Sequence, residues 1–235
     1  MTLLLSTLRP FAQGGHRLCF VHPNDGHRCI KVRRPDFTLA DLRRKKGFPK
    51  NLLALRHFDD NREEHDVLNA LARQLGDSAF EHVSRCYGFE QTDLGPGLVL
   101  ELVRDADGEI SQTLKAHLWF EGYTPDCKAA VTRFCARWSE QQIPSRDLLL
   151  HNILVQKGDD GQISRLVVID GLGSPNIIPF HRLPRRLRQA KVERKITNLQ
   201  ERIEQTLAKK ARGEKPGNHG MATARPTSPS ADSRG

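Results

Sequence analysis

The stretch Arg146-Asp147-Leu148-Leu149-Leu150-His151-Asn152 constrains this chain more than any other. An apolar run, Ile153-Leu154-Val155, follows it directly, then the turn Gly158-Asp159-Asp160-Gly161, then Leu166-Val167-Val168-Ile169 and Asp170. Two short apolar runs joined by turn residues predict a β-hairpin. A hairpin brings the chain back to where it began, so Asp147, Asn152 and Asp170 are expected to gather at one end of it. One Asp can accept a hydroxyl proton, while an Asn and a second Asp offer oxygen ligands to magnesium. That is what phosphoryl transfer needs. The rival reading is that Asp and Asn here only cap turns.

The upstream half carries a matching order of elements. Residues 3–33 read as strands, with a hairpin formed by Leu18-Cys19-Phe20-Val21 and Arg28-Cys29-Ile30-Lys31-Val32 around Pro23-Asn24-Asp25-Gly26. Residues 34–58 are basic and irregular, predicting a loop or short helices. A helix starts near Asp59-Asp60-Asn61, where a short polar side chain can cap free amides. Its apolar stripe is Leu68, Leu71 and Leu75, and Glu64 shares that face. An unpaired carboxylate there would be costly, so Glu64 is expected to have a partner. Glu63, on a neighbouring face, is the rival. Strands are predicted at about 82–91 and 97–104. A second helix runs from Pro125 to near Gln142, with Ala130, Phe134 and Trp138 on one face. A basic helix over roughly 184–211 shows helical spacing at Val192, Ile196, Leu199, Ile203 and Leu207. From Gly213 onward Gly, Pro, Ser, Thr and charge predict a disordered tail.

Composition adds limits rather than answers. In 235 residues, 37 Lys and Arg outweigh 28 Asp and Glu, giving a net charge of +9. The excess lies largely between Arg182 and Arg212 and in Arg43-Arg44-Lys45-Lys46, so it suits polyphosphate as well as nucleic acid or acidic lipid. For the basic helix an exposed, solvated face is the default, and nucleic acid is not the expected partner. Five cysteines without a Cys-x-x-Cys pair read as reduced thiols in a cytoplasmic protein. Met1–Leu8 is too short for a membrane span, and no other stretch reaches spanning length. His22 and His27 read as surface residues rather than zinc ligands, and Trp119, Phe120 and Trp138 as core.

Together these residues resemble the protein kinases. Ser145-Arg146-Asp147 stands where that family has His-Arg-Asp, Asn152 at its metal-binding Asn, and Asp170-Gly171-Leu172-Gly173 at a degenerate Asp-Phe-Gly. Ile30-Lys31 resembles the end of Val-Ala-Ile-Lys, and Leu98-Val99-Leu100-Glu101-Leu102 the hinge. A closer resemblance, carried by Gly14-x-x-Arg17-x-Cys19-Phe20-x-His22-Pro23, Arg28-Cys29-Ile30-Lys31 and the two loops above, is to the YrbL family of PhoP regulatory network proteins. The resemblance implies an α+β, two-lobed protein-kinase-like fold with a reduced C-terminal lobe. The N-lobe would cover about 1–101, the C-lobe about 102–212, and a disordered tail 213–235.

It also implies residue roles and ligands, namely ATP and magnesium. Lys31 would position the phosphates and Glu64 would hold Lys31. Gly14 and Gly15 would cover the phosphates, and the backbone at Glu101 would meet adenine. Asp147 would be the proton acceptor, and Asn152 and Asp170 the metal ligands. The expected function is ATP-dependent phosphotransfer to an acceptor the sequence does not specify. Four departures keep a second reading open: Ala12 for a loop glycine, Ser145 for the His, Leu149 for a lysine, and no long activation segment after Asp170. In that reading the chain is a pseudokinase or regulatory binding module in a bacterial envelope or low-magnesium stress network. A third reading, nucleic-acid binding, would use the basic helix at residues 182–212.

Overall fold

The computed structural model describes residues 2–48, 50–52, 54–173, 180–217, 220 and 221. It combines two antiparallel sheets with helices, an α+β protein. The first sheet holds β1 (Ala12–Gln13), β2 (Arg17–His22), β3 (Asp25–Arg33), β4 (Cys86–Thr92) and β5 (Gly95–Glu101), in the order β1-β2-β3-β5-β4. The predicted first hairpin is β2–β3, with Cys19 opposite Lys31 and Val21 opposite Cys29.

Side chains alternate across a strand, and β3 is covered on both faces. Ile30 and Val32 face a small cluster with Leu3, Leu5, Phe20 and Val99. The alternate position Cys29 belongs to the main core with Leu68, Leu71, Leu98 and Leu100. Lys31, two residues on, shares its face. The pleat therefore sends a lysine toward the helix that covers that face.

That helix is α2 (Asp60–Leu75). Asp59 caps it, accepting from the Asn61 and Arg62 amides at 3.1 and 3.3 Å, as a short acidic side chain should. Its inward face buries Asn61, Glu64, Leu68 and Leu71. Each leucine contributes about 1.5–3 kcal/mol of apolar burial, which holds the two polar residues against the sheet. The irregular segment before it contains α1 (Leu39–Lys46), started by a reciprocal cap between Thr38 and Asp41.

The second sheet comprises β6 (Gln112–Thr113), β7 (Ile153–Lys157) and β8 (Ile163–Val168), in the order β6-β7-β8. β7–β8 is the predicted second hairpin. Around it lie α3 (Leu114–Phe120), α4 (Pro125–Gln141) and α5 (Arg185–Ala211). α5 turns Val192, Leu199 and Ile203 inward, into the same continuous cluster that contains Trp138 and Leu68.

Some expectations change. α3 was not foreseen: its seven residues are too few for a periodic signal, and Thr113 starts it by accepting the Ala116 amide at 3.1 Å. Trp138 is fully buried, but Phe120, at the end of α3, is 56% exposed and Trp119 only partly covered. His22 is buried beside Glu90, its Nε2 3.2 Å from Oε1, rather than on the surface. The predicted strand at 82–91 is β4 from Cys86, preceded by a 3-10 turn at Gly76–Glu81. All five cysteines are free thiols. Of the tail expected at 213–235, residues 213–217, 220 and 221 are described, and the rest lie outside the described residues. Among the described residues no helix is long and apolar enough to cross a membrane.

Candidate functional site

The site begins where β3 meets α2. Lys31 Nζ donates to Glu64 Oε1 at 2.7 Å and to the Ile169 carbonyl at 2.7 Å. Both side chains are only 8% exposed. Burial alone would push the lysine pKa down, yet it lies above its ordinary value because Glu64 stands beside it. Asn61, one turn earlier on α2, donates Nδ2 to the Lys31 carbonyl at 2.8 Å and so fixes the strand to the helix. Arg17 completes the cluster from β2. Its guanidinium donates to the other Glu64 oxygen, to Asn61 Oδ1 at 3.2 Å and to Asp170 Oδ2 at 2.8 Å.

The second half of the site is made of two loops locked to each other by backbone. The Arg146 amide donates to the Gly171 carbonyl at 2.8 Å, the Gly173 amide to Pro144 at 2.9 Å, and the Ile169 amide to Asn152 at 2.9 Å. Ser145 and Leu172 pair as an isolated antiparallel bridge. Gly171 has φ 81°, and a Cβ there would lie 2.9 Å from the Asp147 carbonyl. Glycine is therefore required for the loops to approach this closely. Asp170 follows from this clamp. Its Oδ1 accepts the Gly171 amide at 2.6 Å and its Oδ2 is held by Arg17. Desolvation raises its pKa, but Arg17 and Lys31 outweigh that and hold it down to about 2.

Lys31, Gly14, Gly15, Glu101, Asn152 and Asp170 line one cleft of about 370 Å³. Gly14 and Gly15 form the β1–β2 turn, closed by the Gly14 amide on the Arg17 carbonyl at 2.8 Å. A neighbouring polar cleft of about 310 Å³ is lined by Glu64 and also by Gly14, Gly15, Arg17 and Asp170. Glu101 lies at the cleft wall, but its carboxylate is engaged elsewhere. It pairs with Arg165 and accepts the Arg85 amide at 3.1 Å, while its own amide donates to the Arg85 carbonyl at 2.8 Å. After α5 the chain returns to this cleft: Thr113 Oγ1 donates to the Gly220 carbonyl and Lys115 Nζ to the Gly217 carbonyl, both at 2.6 Å.

Asp147 stands apart. It is not among the described residues lining either cleft. Its Oδ2 accepts from Arg202 of α5 at 2.7 Å, and its Oδ1 is buried with no hydrogen-bond partner within the protein. Arg146 instead pairs with Glu63, the rival to Glu64. The inward carboxylate is Glu64, as its helical face predicts.

Sequence reasoning missed Arg17, Asn61 and Arg202. For Arg17 a signal existed: it lies two residues before Cys19, the partner of Lys31 across the hairpin, so alternation puts it on the Lys31 face. For Arg202 no local signal exists, since α5 meets Asp147 only in the folded chain.

The donor set fits magnesium. Asn152 and Asp170 offer hard oxygens to one cleft, and magnesium is commonly held by one or two carboxylates with phosphates and water completing its shell. Among the described residues no group of three or more His, Cys, Asp or Glu could hold a metal alone. A metal here would complete its shell with water or with oxygens of a bound phosphate.

An α+β protein with a buried lysine–carboxylate pair beside a cleft is the class these features define. The model of the PhoP regulatory network protein YrbL family matches residues 3–204, and the chain belongs to that family. Over 179 residues it is 27% identical to the protein named Uncharacterized protein YrbL of Escherichia coli (strain K12), covering 75% of this chain and 76% of that one. The Shigella flexneri protein of the same name gives the same values.

Proposed function

We propose that this protein is an ATP- and magnesium-dependent phosphotransferase on a two-lobed, protein-kinase-like fold, acting in the cytoplasm. The smaller lobe ends near Glu101 and a reduced helical lobe covers about 102–212. The observation that carries the reading is the position of Lys31 Nζ, 2.7 Å from both Glu64 Oε1 and the carbonyl preceding Asp170. A buried lysine held this way faces a cleft with its charge retained and its position fixed. Such a group is suited to the α- and β-phosphates of a nucleotide.

Gly14 and Gly15, in the β1–β2 turn, would cover those phosphates, and the chain at Glu101 would border the adenine end. Magnesium, held by Asn152 and Asp170, would neutralise charge on the phosphates. Asp147 accepts the proton of the attacking hydroxyl. Leu149 withholds the positive charge usual beside that Asp, and Arg202 brings a guanidinium to the same carboxylate from α5.

The test is calorimetric titration of MgATP into wild type and Lys31→Ala, followed by transfer of labelled γ-phosphate to the protein itself, to water and to candidate acceptors. Wild type should bind, and the variant should lose about tenfold or more in affinity, the loss expected for a charge-assisted phosphate contact. Equal affinities would sink the assignment of Lys31.

A second reading is favoured by one observation: Asp170 and Asp147 are each already engaged by an arginine. A pseudokinase or regulatory module in an envelope or low-magnesium response would keep such closed pairs. It predicts ATP binding with no phosphate release or transfer under any metal.

A further inference from the structure

Arg17 belongs to none of the roles above, yet it sits at the centre of the charges. Two cations, Lys31 and Arg17, face two carboxylates, Glu64 and Asp170, so the cluster is balanced without any metal. Both Asp170 oxygens are in use, one by the Gly171 amide and one by Arg17 Nη2 at 2.8 Å. The Arg17 side chain is 13% exposed, and it lines both clefts, the one with Asn152 and the one with Glu64. Asn61 and Glu64 anchor one end of its guanidinium while Nη2 reaches Asp170. Its attachment to α2 therefore does not depend on its attachment to Asp170.

A guanidinium is charged at every accessible pH and presents several donors in a plane that matches phosphate oxygens. Where it holds a carboxylate that a divalent cation would use, the two cations compete for one site. Arg17 is 13% exposed and Asp170 49%, so water can cover the carboxylate when Arg17 leaves it, while the freed guanidinium donors would take a phosphate oxygen instead.

We propose that Arg17 is a built-in cation of the nucleotide site: it holds Asp170 in place of a metal ion and, with Lys31, binds the polyphosphate of a nucleoside triphosphate. Nucleotide then binds before metal. Asp170 could hold magnesium only where Arg17 Nη2 releases it, so the two cations would substitute for one another at that carboxylate. This inference rests on the nucleotide reading and goes further, because it assigns the phosphate contact and the order of binding to a residue outside the kinase pattern.

The experiment is titration of ATP into the full chain in EDTA and in excess magnesium, for wild type, Arg17→Gln and Arg17→Lys, with thermal unfolding to verify the fold of each. Wild type should bind ATP in EDTA within about threefold of its affinity with magnesium. Arg17→Gln should lose about tenfold or more in EDTA, the scale of a lost charge-assisted phosphate contact, and recover most of it with magnesium. Arg17→Lys, keeping charge without the planar fork, should fall between. Wild type that binds ATP only with magnesium overturns the proposal and leaves the nucleotide reading standing; this arm decides even if Arg17→Gln does not fold. Equal losses of Arg17→Gln in both buffers, or none, also overturn it. Wild type that binds no ATP in either buffer removes the nucleotide reading itself, and this inference with it.

Discussion

The two acidic corners of the site are built in different ways. At the β3–α2 corner, Lys31, Glu64, Arg17 and Asn61 are buried or nearly so and share one continuous set of bonds. At the other corner, Asp147 is 32% exposed and pairs with the single Arg202, itself 29% exposed. The first corner is part of how the molecule holds together, because a charge left alone there has no water to turn to. The second is more adjustable, since a pair about one-third exposed is partly screened by water and opens at smaller cost. Under the proposed function, the rigid side would hold the nucleotide and the adjustable side would carry the proton acceptor.

The strongest way to break that contrast is Glu64→Ala. It leaves buried Lys31 with only the Ile169 carbonyl and Arg17 without its innermost carboxylate, and should cost about 3–5 kcal/mol in urea unfolding. A loss below about 1 kcal/mol would mean that Lys31 and Arg17 find other partners, and the corner is not the rigid one. Next, Asp147→Asn should lower phosphate transfer by about 10²–10⁴-fold, the usual worth of a general base, while moving the unfolding midpoint little. Transfer at the wild-type rate would remove Asp147 from the chemistry. Lys31→Ala sharpens the comparison from inside the buried corner. Glu64 keeps Arg17, so the stability cost should be about 1–3 kcal/mol and smaller than that of Glu64→Ala. The reverse order would contradict the shared role of Glu64.

Arg202→Ala is the matching change at the adjustable corner, with an expected stability cost of only about 0–1 kcal/mol. A larger loss in chemical denaturation would show that the second corner is structural too.

The smallest effect is in pH dependence. Asp170, held at about 2, contributes stability that is present above the ordinary carboxylate value and is lost only as pH falls through the folded one. Its contribution is therefore flat from pH 7 to about 5 and declines below that. His82 and His117 act in the same direction but at higher pH: burial lowers both pKa values, so the unfolded chain takes up protons first. Stability should start to fall gradually as pH drops below about 6.5. Unfolding midpoints that stay constant from pH 7 to 5 would exclude that contribution.

Much of the rigid corner was legible in the sequence. The stripe at Leu68 and Leu71 put Glu64 on the buried face of α2 and the cost of burial demanded a partner for it, while Lys31 as that partner came from the resemblance to protein kinases. Arg17 followed strand alternation and was still missed, because an arginine at a strand end reads as solvated until the helix above it is in place. Phe120 misled in the other direction, since α3 is too short to declare which face it buries. The two hairpins were legible from turn residues between apolar runs, as was the capped start of α2 at Asp59.

The sequence by itself determined the two hairpins, the helices α2, α4 and α5, their order, and which residue types could meet a phosphate or a metal, because periodicity and capping act over a few neighbouring residues. Only the tertiary structure decided which cation each carboxylate holds: Arg17 on Asp170 across 153 positions, and Arg202 on Asp147 across 55. Those pairings depend on the packing of β2 and α5 against loops far away in the chain, where no local pattern reaches.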